Sequence, residues 1–234
     1  MVRQLLLSFL LTSAINFAFG QENKLDSKQV SDSTKVSVTD SIPAKKYHDI
    51  FIGVDLFNPI VSAFTDKKGA TAFLSYQLNN KWHLVAEVGY EKNNFNEINW
   101  NVDVDGIFGK IGGNWFITQD VENQSNGIYI GGRVAYAKYS QTINSYPIRD
   151  LQSNIVVGYD SRPKVDVSSF WVEAVVGGRV EIFKNFYGEL SLHPSVYIGG
   201  KKDDNIDPLV IPGYGKTKGP FNLPVFWGIS YKIK

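Results

Sequence analysis

The chain has 234 residues, 24 Lys+Arg against 23 Asp+Glu, 14% aromatics and no cysteine. A formal net charge of +1 excludes the broad basic surface of a nucleic-acid binder. The absence of Cys excludes disulfide staples, thiolate metal sites, a cysteine nucleophile and a lipidated N-terminal Cys.

Residues 1–20 combine Arg3, an apolar stretch from Leu5 to Leu11 and a small-x-small end at Ala18-Phe19-Gly20. These are the three parts of a secretory signal peptide, and the apolar core is too short for the ~20 residues a spanning helix needs. Cleavage removes Arg3 and leaves a formally neutral mature chain. Residues 21–46 lack aromatics and alternate in charge, so they cannot bury enough apolar area to offset the ordering of their backbone. They read as a disordered periplasmic leader, and residues 47–234 as a single folded domain.

From Tyr47 onward apolar residues recur at every second position, the period of strands with two unlike faces. The first such segment carries Ile50, Ile52, Val54 and Leu56; the second Ala70, Ala72, Leu74, Tyr76 and Leu78; the third Trp82, Leu84, Ala86, Val88 and Tyr90. The fourth runs Ile107, Gly109, Ile111, Gly113, Trp115, and the fifth Ile128, Ile130, Gly132, Val134, Tyr136. The sixth extends from Phe170 to Ile182, the seventh from Phe186 to His193 and the eighth from Phe221 to Ile233. Eight is an even count that can close on itself.

Asn79-Asn80 and Lys184-Asn185 read as two-residue turns in which Asn accepts a positive φ. Longer polar links are expected at 58–68, 92–101, 140–168 and 200–218, with one of intermediate length at 118–126. Short and long links alternate, which collects the long ones at one end, as in outer-membrane barrels.

Alternation does not say which face is inside. A lipocalin-like barrel turns its apolar set inward and a membrane barrel turns it outward. Three features favour outward. The polar face pairs small residues with Glu87, Lys110, Arg133, Glu173, Arg179, Glu181 and Glu189, an interior charge network that a narrow barrel can enclose. Aromatics (Trp82, Tyr90, Trp115, Phe170, Phe186 and Tyr231) gather at the edges of the apolar face, where bilayer interfaces favour them. The chain ends on a strand with Gly228, Tyr231 and Ile233, similar to the terminal signal read by the barrel-assembly machinery, although Lys234 departs from its usual last residue. The expected fold is all-β: an eight-stranded antiparallel up-and-down transmembrane β-barrel with short turns at one end and long loops at the other.

Several ordered pieces carry a further likeness. They are Gly53-Val54-Asp55-Leu56 before Asn58-Pro59-Ile60, then Val85-Ala86-Glu87-Val88-Gly89, Gln141-Thr142-Ile143-Asn144-Ser145-Tyr146 and Ile211-Pro212-Gly213-Tyr214. In order and spacing the chain resembles, over roughly residues 47–234, an uncharacterised domain-of-unknown-function family of small exported β-barrels from Gram-negative bacteria. The resemblance implies an outer-membrane location and an eight-strand barrel and supplies no catalytic residues.

Glu189-x-Ser191-x-His193 alone brings an acid, a nucleophile and a base close in sequence, on one face of one strand. Residues two apart stand ~6.6 Å apart along a strand, so a same-strand Ser–His pairing is expected to be strained. All three side chains also point to the interior, away from lipid, so no catalysis is assigned. Three His without a His-Glu-x-x-His motif argue against a metal. Asp103-Val104-Asp105 and Asp203-Asp204 match no calcium loop, and Gly215-Lys216-Thr217 lacks the earlier Gly of a phosphate loop. No cofactor is expected.

The reading is a small outer-membrane barrel with a filled interior and a structural or loop-mediated binding role. Its partners would be outer-membrane lipid, the assembly machinery and an extracellular ligand held by residues 140–168 and 200–218. The rivals are a soluble secreted or periplasmic barrel binding an apolar ligand and an outer-membrane lipid-modifying hydrolase.

Overall fold

The computed structural model describes residues 48–62, 64–65, 67–97, 99–201, 207–217, 219 and 221–233. The predicted signal peptide, the predicted leader, Asp203-Asp204 and Lys234 lie outside the described residues.

Strands run β1 (Ile50–Asp55), β2 (Lys68–Gln77), β3 (Trp82–Glu97), β4 (Trp100–Gln119), β5 (Gly127–Arg149), β6 (Val156–Phe183) and β7 (Phe186–Leu192). They continue as β8 (Ser195–Gly199), β9 (Val210–Ile211), β10 (Gly215–Lys216), β11 (Phe221–Asn222) and β12 (Val225–Ile233), and one short helix, α1 (Phe57–Ser62), follows β1. Each of β1 to β6 pairs antiparallel with its successor, β7 pairs with β12, and β12 pairs with β1, from Ile50↔Ile233 to Asp55↔Gly228. Eight antiparallel strands therefore form a closed ring in chain order.

Period two sets the faces, and one side of every ring strand turns inward. On β3, His83, Val85, Glu87 and Glu91 are buried while Trp82, Leu84, Val88 and Tyr90 are exposed. The polarity of the outward face changes along the strands. On β4 it reads Asn101, Asp103, Asp105 and then Ile107, Ile111, Trp115 and Ile117; on β5 it reads Ile128, Ile130, Val134, Tyr136 and then Lys138, Ser140, Thr142 and Asn144. Register puts these changes side by side: Lys92 pairs with Asp105, Tyr90 with Ile107, Ile107 with Lys138 and Lys138 with Ser168. Above that level apolar side chains turn inward instead. Phe95, Val102, Val104, Tyr139 and Ile143 pack with Trp171 in one buried cluster.

Several expected links are otherwise arranged. Residues 92–101 and 140–168 are mostly strand: β3 and β4 run on to Glu97↔Trp100, and β5 and β6 to Arg149↔Val156. Their alternation is genuine but inverted, with polar residues outward. A ladder of Asn94, Asn101, Asp103 and Asn144 side-chain hydrogen bonds at 2.7–2.9 Å holds the outer face. Residues 58–68 contain most of α1, whose first turn is capped by Asp55 through the N–H of Phe57 and Asn58 at 2.9 and 3.3 Å. Residues 78–81 replace the two-residue Asn79-Asn80 turn, with Asn79 Oδ1 accepting from the N–H of Lys81 and Trp82. Lys184-Asn185 is the expected turn, Asn185 taking φ 67°. The seventh strand stops at Leu192 and the eighth is broken at Leu223-Pro224, although the His193 N–H still donates to Pro224 O at 2.9 Å. The described part of 200–218 turns inward through the β9–β10 hairpin, burying Val210, Ile211 and Tyr214 in the apolar cluster.

Candidate functional site

Inward side chains at the middle levels of the ring form one connected set of charges. Arg133 Nε donates to Glu87 Oε1 at 3.1 Å, and Lys110 Nζ donates to Glu173 Oε1 at 2.8 Å while standing 4.0 Å from Glu87 Oε2. Trp171 Nε1 also donates to Glu173 Oε1, at 2.7 Å. Nearer the short-turn end Arg179 Nε donates to Glu189 Oε1 at 2.9 Å and Nη2 to Ser75 Oγ at 3.1 Å. The Arg179 guanidinium lies 4.1 Å from the Phe51 ring centre. Six of the seven charges singled out from sequence are buried here. Glu181 is not among them: half-buried at the β6–β7 hairpin, it accepts from Asn123 Nδ2 and the Asn185 N–H.

His193 extends this network. Its Nδ1 lies 2.9 Å from Glu173 Oε2 and its Nε2 lies 2.8 Å from Ser191 Oγ. With a proton on Nδ1 donated to Glu173, Nε2 accepts the Ser191 hydroxyl, which is the connectivity of a Ser-His-acid triad. Two expectations about these residues are corrected. The Ser–His contact is not strained, because His193 has left the strand and its ring turns back over Ser191. The acid is Glu173 of β6, while Glu189 is committed to Arg179. No spacing rule finds Glu173, since its approach depends on the stagger of β6 against the broken end of β7. Ser191 itself is buried beside Gly177 and directly across from Phe226. The hydroxyl is polarised, and Ser191 is not among the residues that line the cavity beside His193.

The cavity lies on the other side of His193. It has a volume of about 310 Å³. Its floor is Glu87, Lys110 and His193; its aromatic walls are Phe108 and Phe226; its roof is Gly213 to Lys216 of the returning loop. Asn58, Lys67 and Thr71 line the side toward α1, where Lys67 keeps 29% of its side chain exposed and pairs with Glu91 at 3.1 Å. The roof is fixed by the Gly213 N–H donating to Glu91 Oε2 at 3.1 Å and by Tyr214 packing edge-on to Trp171. Gly213 sits at φ 75° against the face of Phe108, and a Cβ there would collide with that ring. Among the described residues no group of three metal-binding side chains occurs.

The expected interface aromatics point outward in two rows. Trp82 stacks on Trp115 with centroids 6.4 Å apart, and Phe186 meets Tyr231 at 4.9 Å, at the short-turn end. Tyr90 and Phe170 stand at the other end of the apolar belt, Phe170 against Tyr136 at 4.6 Å. On β12, Gly228 faces inward and Tyr231 and Ile233 outward.

Domain of unknown function (DUF6048) matches residues 1–234. The chain belongs to this family. No curated protein matches it. Among solved structures it is similar to Ail, the attachment invasion locus protein of Yersinia pestis, at 11% identity and TM-score 0.41 over 80% of this chain and 99% of that one. It is similar to a major outer membrane protein from Thermus thermophilus at 12% identity and TM-score 0.43, over 79% and 98%. The N-terminal β-barrel domain of Pseudomonas aeruginosa OprF gives 12% identity and TM-score 0.35, over 80% and 98%. The architecture of this DUF6048 chain rests on its own strand registers.

Proposed function

We propose that this DUF6048 protein is a small transmembrane β-barrel of an outer membrane, its interior filled by side chains around one cavity, with a structural or binding role rather than turnover. The carrying observation is the single level at which the outward face changes from apolar to polar on neighbouring strands. Water on one side of that level and acyl chains on the other account for it; a uniform solvent does not. From Ile107 to Ile117 the apolar stretch covers about 33 Å of strand at ~3.3 Å per residue, or roughly 25 Å of height at a tilt of ~40°, the depth of an outer-membrane apolar band. Aromatic rows bound it at both ends, where headgroups favour amphipathic rings.

The ring strands β4, β5 and β6 have 20, 23 and 28 residues, about twice or more the ~10 a tilted crossing needs. Their upper parts therefore stand beyond the membrane as two hairpins, β3–β4 and β5–β6, which offer the outer surface for a partner. A segment of 207–217 that folds inside serves as a plug rather than an external arm. The interior charges act as permanent fill, and β12, with Gly228, Tyr231 and Ile233, is the strand the assembly machinery would read.

Fractionation with heat-dependent gel mobility tests this reading. The mature chain should pellet with outer membranes, resist carbonate extraction and run compact in detergent until boiled. A folded, monomeric protein that stays dispersed in buffer without amphiphile would overturn it.

A further inference from the structure

We infer that the interior cavity beneath the returning loop is a binding site for a small, neutral, polyhydroxylated ring compound, that is, a saccharide. This goes beyond the barrel reading and stands whether or not the ring lies in a bilayer.

Charge favours a neutral ligand. Asp55 is compensated by the α1 N–H groups, Glu91 by Lys67 at 3.1 Å and by the Gly213 N–H, and Lys110 by Glu173 at 2.8 Å. Glu87 is held by Arg133 at 3.1 Å with Lys110 at 4.0 Å. The Lys216 ammonium of the roof stands 5.1 Å from the centre of the Phe95 ring. A charged ligand would have to break one of these pairs, draw Lys216 away from that ring or leave its own charge without a partner, each of which is costly. A neutral ligand with both donors and acceptors does neither. Paired ions still offer it spare lone pairs and N–H groups, and charge-assisted hydrogen bonds are the strong ones.

The cavity surface is part aromatic and part polar. Phe108 and Phe226 contribute apolar aromatic surface beside the polar groups, and aromatic carbon packs against the weakly positive C–H groups of a pyranose ring. A long apolar chain would instead leave the remaining lone pairs of Glu87 and the remaining N–H groups of Lys110 without partners. In size the cavity, at about 310 Å³, lies at the small end of ligand sites, with room for one sugar ring. Asn58 of α1, the partly exposed Lys67 and the returning loop line the cavity together.

The test uses the full mature chain folded in detergent, titrated calorimetrically with methyl glucoside and methyl galactoside as neutral probes and with glucuronate and glucosamine as charged ones. At least one neutral probe should bind saturably, with both charged probes about tenfold weaker or worse. Thr71→Phe, which fills the cavity, should abolish binding while the compact gel band remains. If Thr71→Phe does not fold, Asn58→Leu in the cavity wall should weaken the neutral probe several-fold. No saturable neutral binding, equal binding of a charged probe, or unchanged affinity in the folded variant would overturn the inference.

Discussion

Arg179 shows what the interior asks of single side chains. Its guanidinium is buried between Glu189, Ser75 and the ring of Phe51, so no water can replace a lost partner. Arg179→Met should lower unfolding stability by about 3–5 kcal/mol, because it strands the Glu189 carboxylate. Adding Glu189→Gln should recover a substantial part of that loss, measured as urea midpoints in lipid vesicles; no recovery would mean the pair is not the cause. Asp150, outside the belt at the tip of β5–β6, is held below its ordinary value of 3.8 by the N–H groups of Gln152 and Ser153. Its stabilising effect is present above that ordinary value and is lost as pH falls through the depressed one. Amide signals of Gln152 and Ser153 should thus stay put down to about pH 4 and shift only below it.

At the scale of one strand, the same outward face meets two environments. Val134 lies in the apolar belt and Thr142 lies above it, both outward on β5. Val134→Arg should cost roughly 2–4 kcal/mol in a bilayer. Thr142→Arg should stay within about 0.5 kcal/mol, as polar positions facing solvent do. Equal effects would remove the case for a belt. The hairpins make a second claim about strand length. Hydrogen exchange should find backbone amides protected along β5 and β6 nearly to Arg149 and Val156, with fast exchange confined to the turn between them. Fast exchange throughout 140–168 would restore a loose loop there.

For the whole molecule, closure depends on β12, which is paired on both sides: Ile229 faces Val54 on β1 and Gly188 on β7. Ile229→Pro removes a ladder donor at that seam and should cost about 3 kcal/mol or more, with loss of the compact band at room temperature. Ile155→Pro, in the exposed turn, should leave the band intact. If both variants run alike, the seam does not hold the ring.

Much of this was legible in the residues, because period two and the outward aromatic–apolar face are local properties of the chain. The segments around Ile52, Leu84, Val134 and Leu190 show their two faces without any tertiary information. The stretches 92–101 and 140–168 resemble loops for a physical reason: once a strand leaves the apolar belt, water rewards polar residues outside, and its composition becomes that of a loop while its pairing continues. The candidate site was harder still. Glu87, Lys110, Arg133 and Glu173 were visible as inward charges, but which acid meets which base depends on the stagger of four different strands. His193 meets both Ser191 and Glu173 only because β7 breaks beside Pro224, and the cavity exists only because residues 210–216 fold back under the rim. The chain alone thus determined the strands and their faces, since hydrogen-bond geometry and solvent preference act residue by residue. Ring closure, charge partners and the roofed cavity were left to the tertiary structure, since each joins residues whose distance no local rule sets.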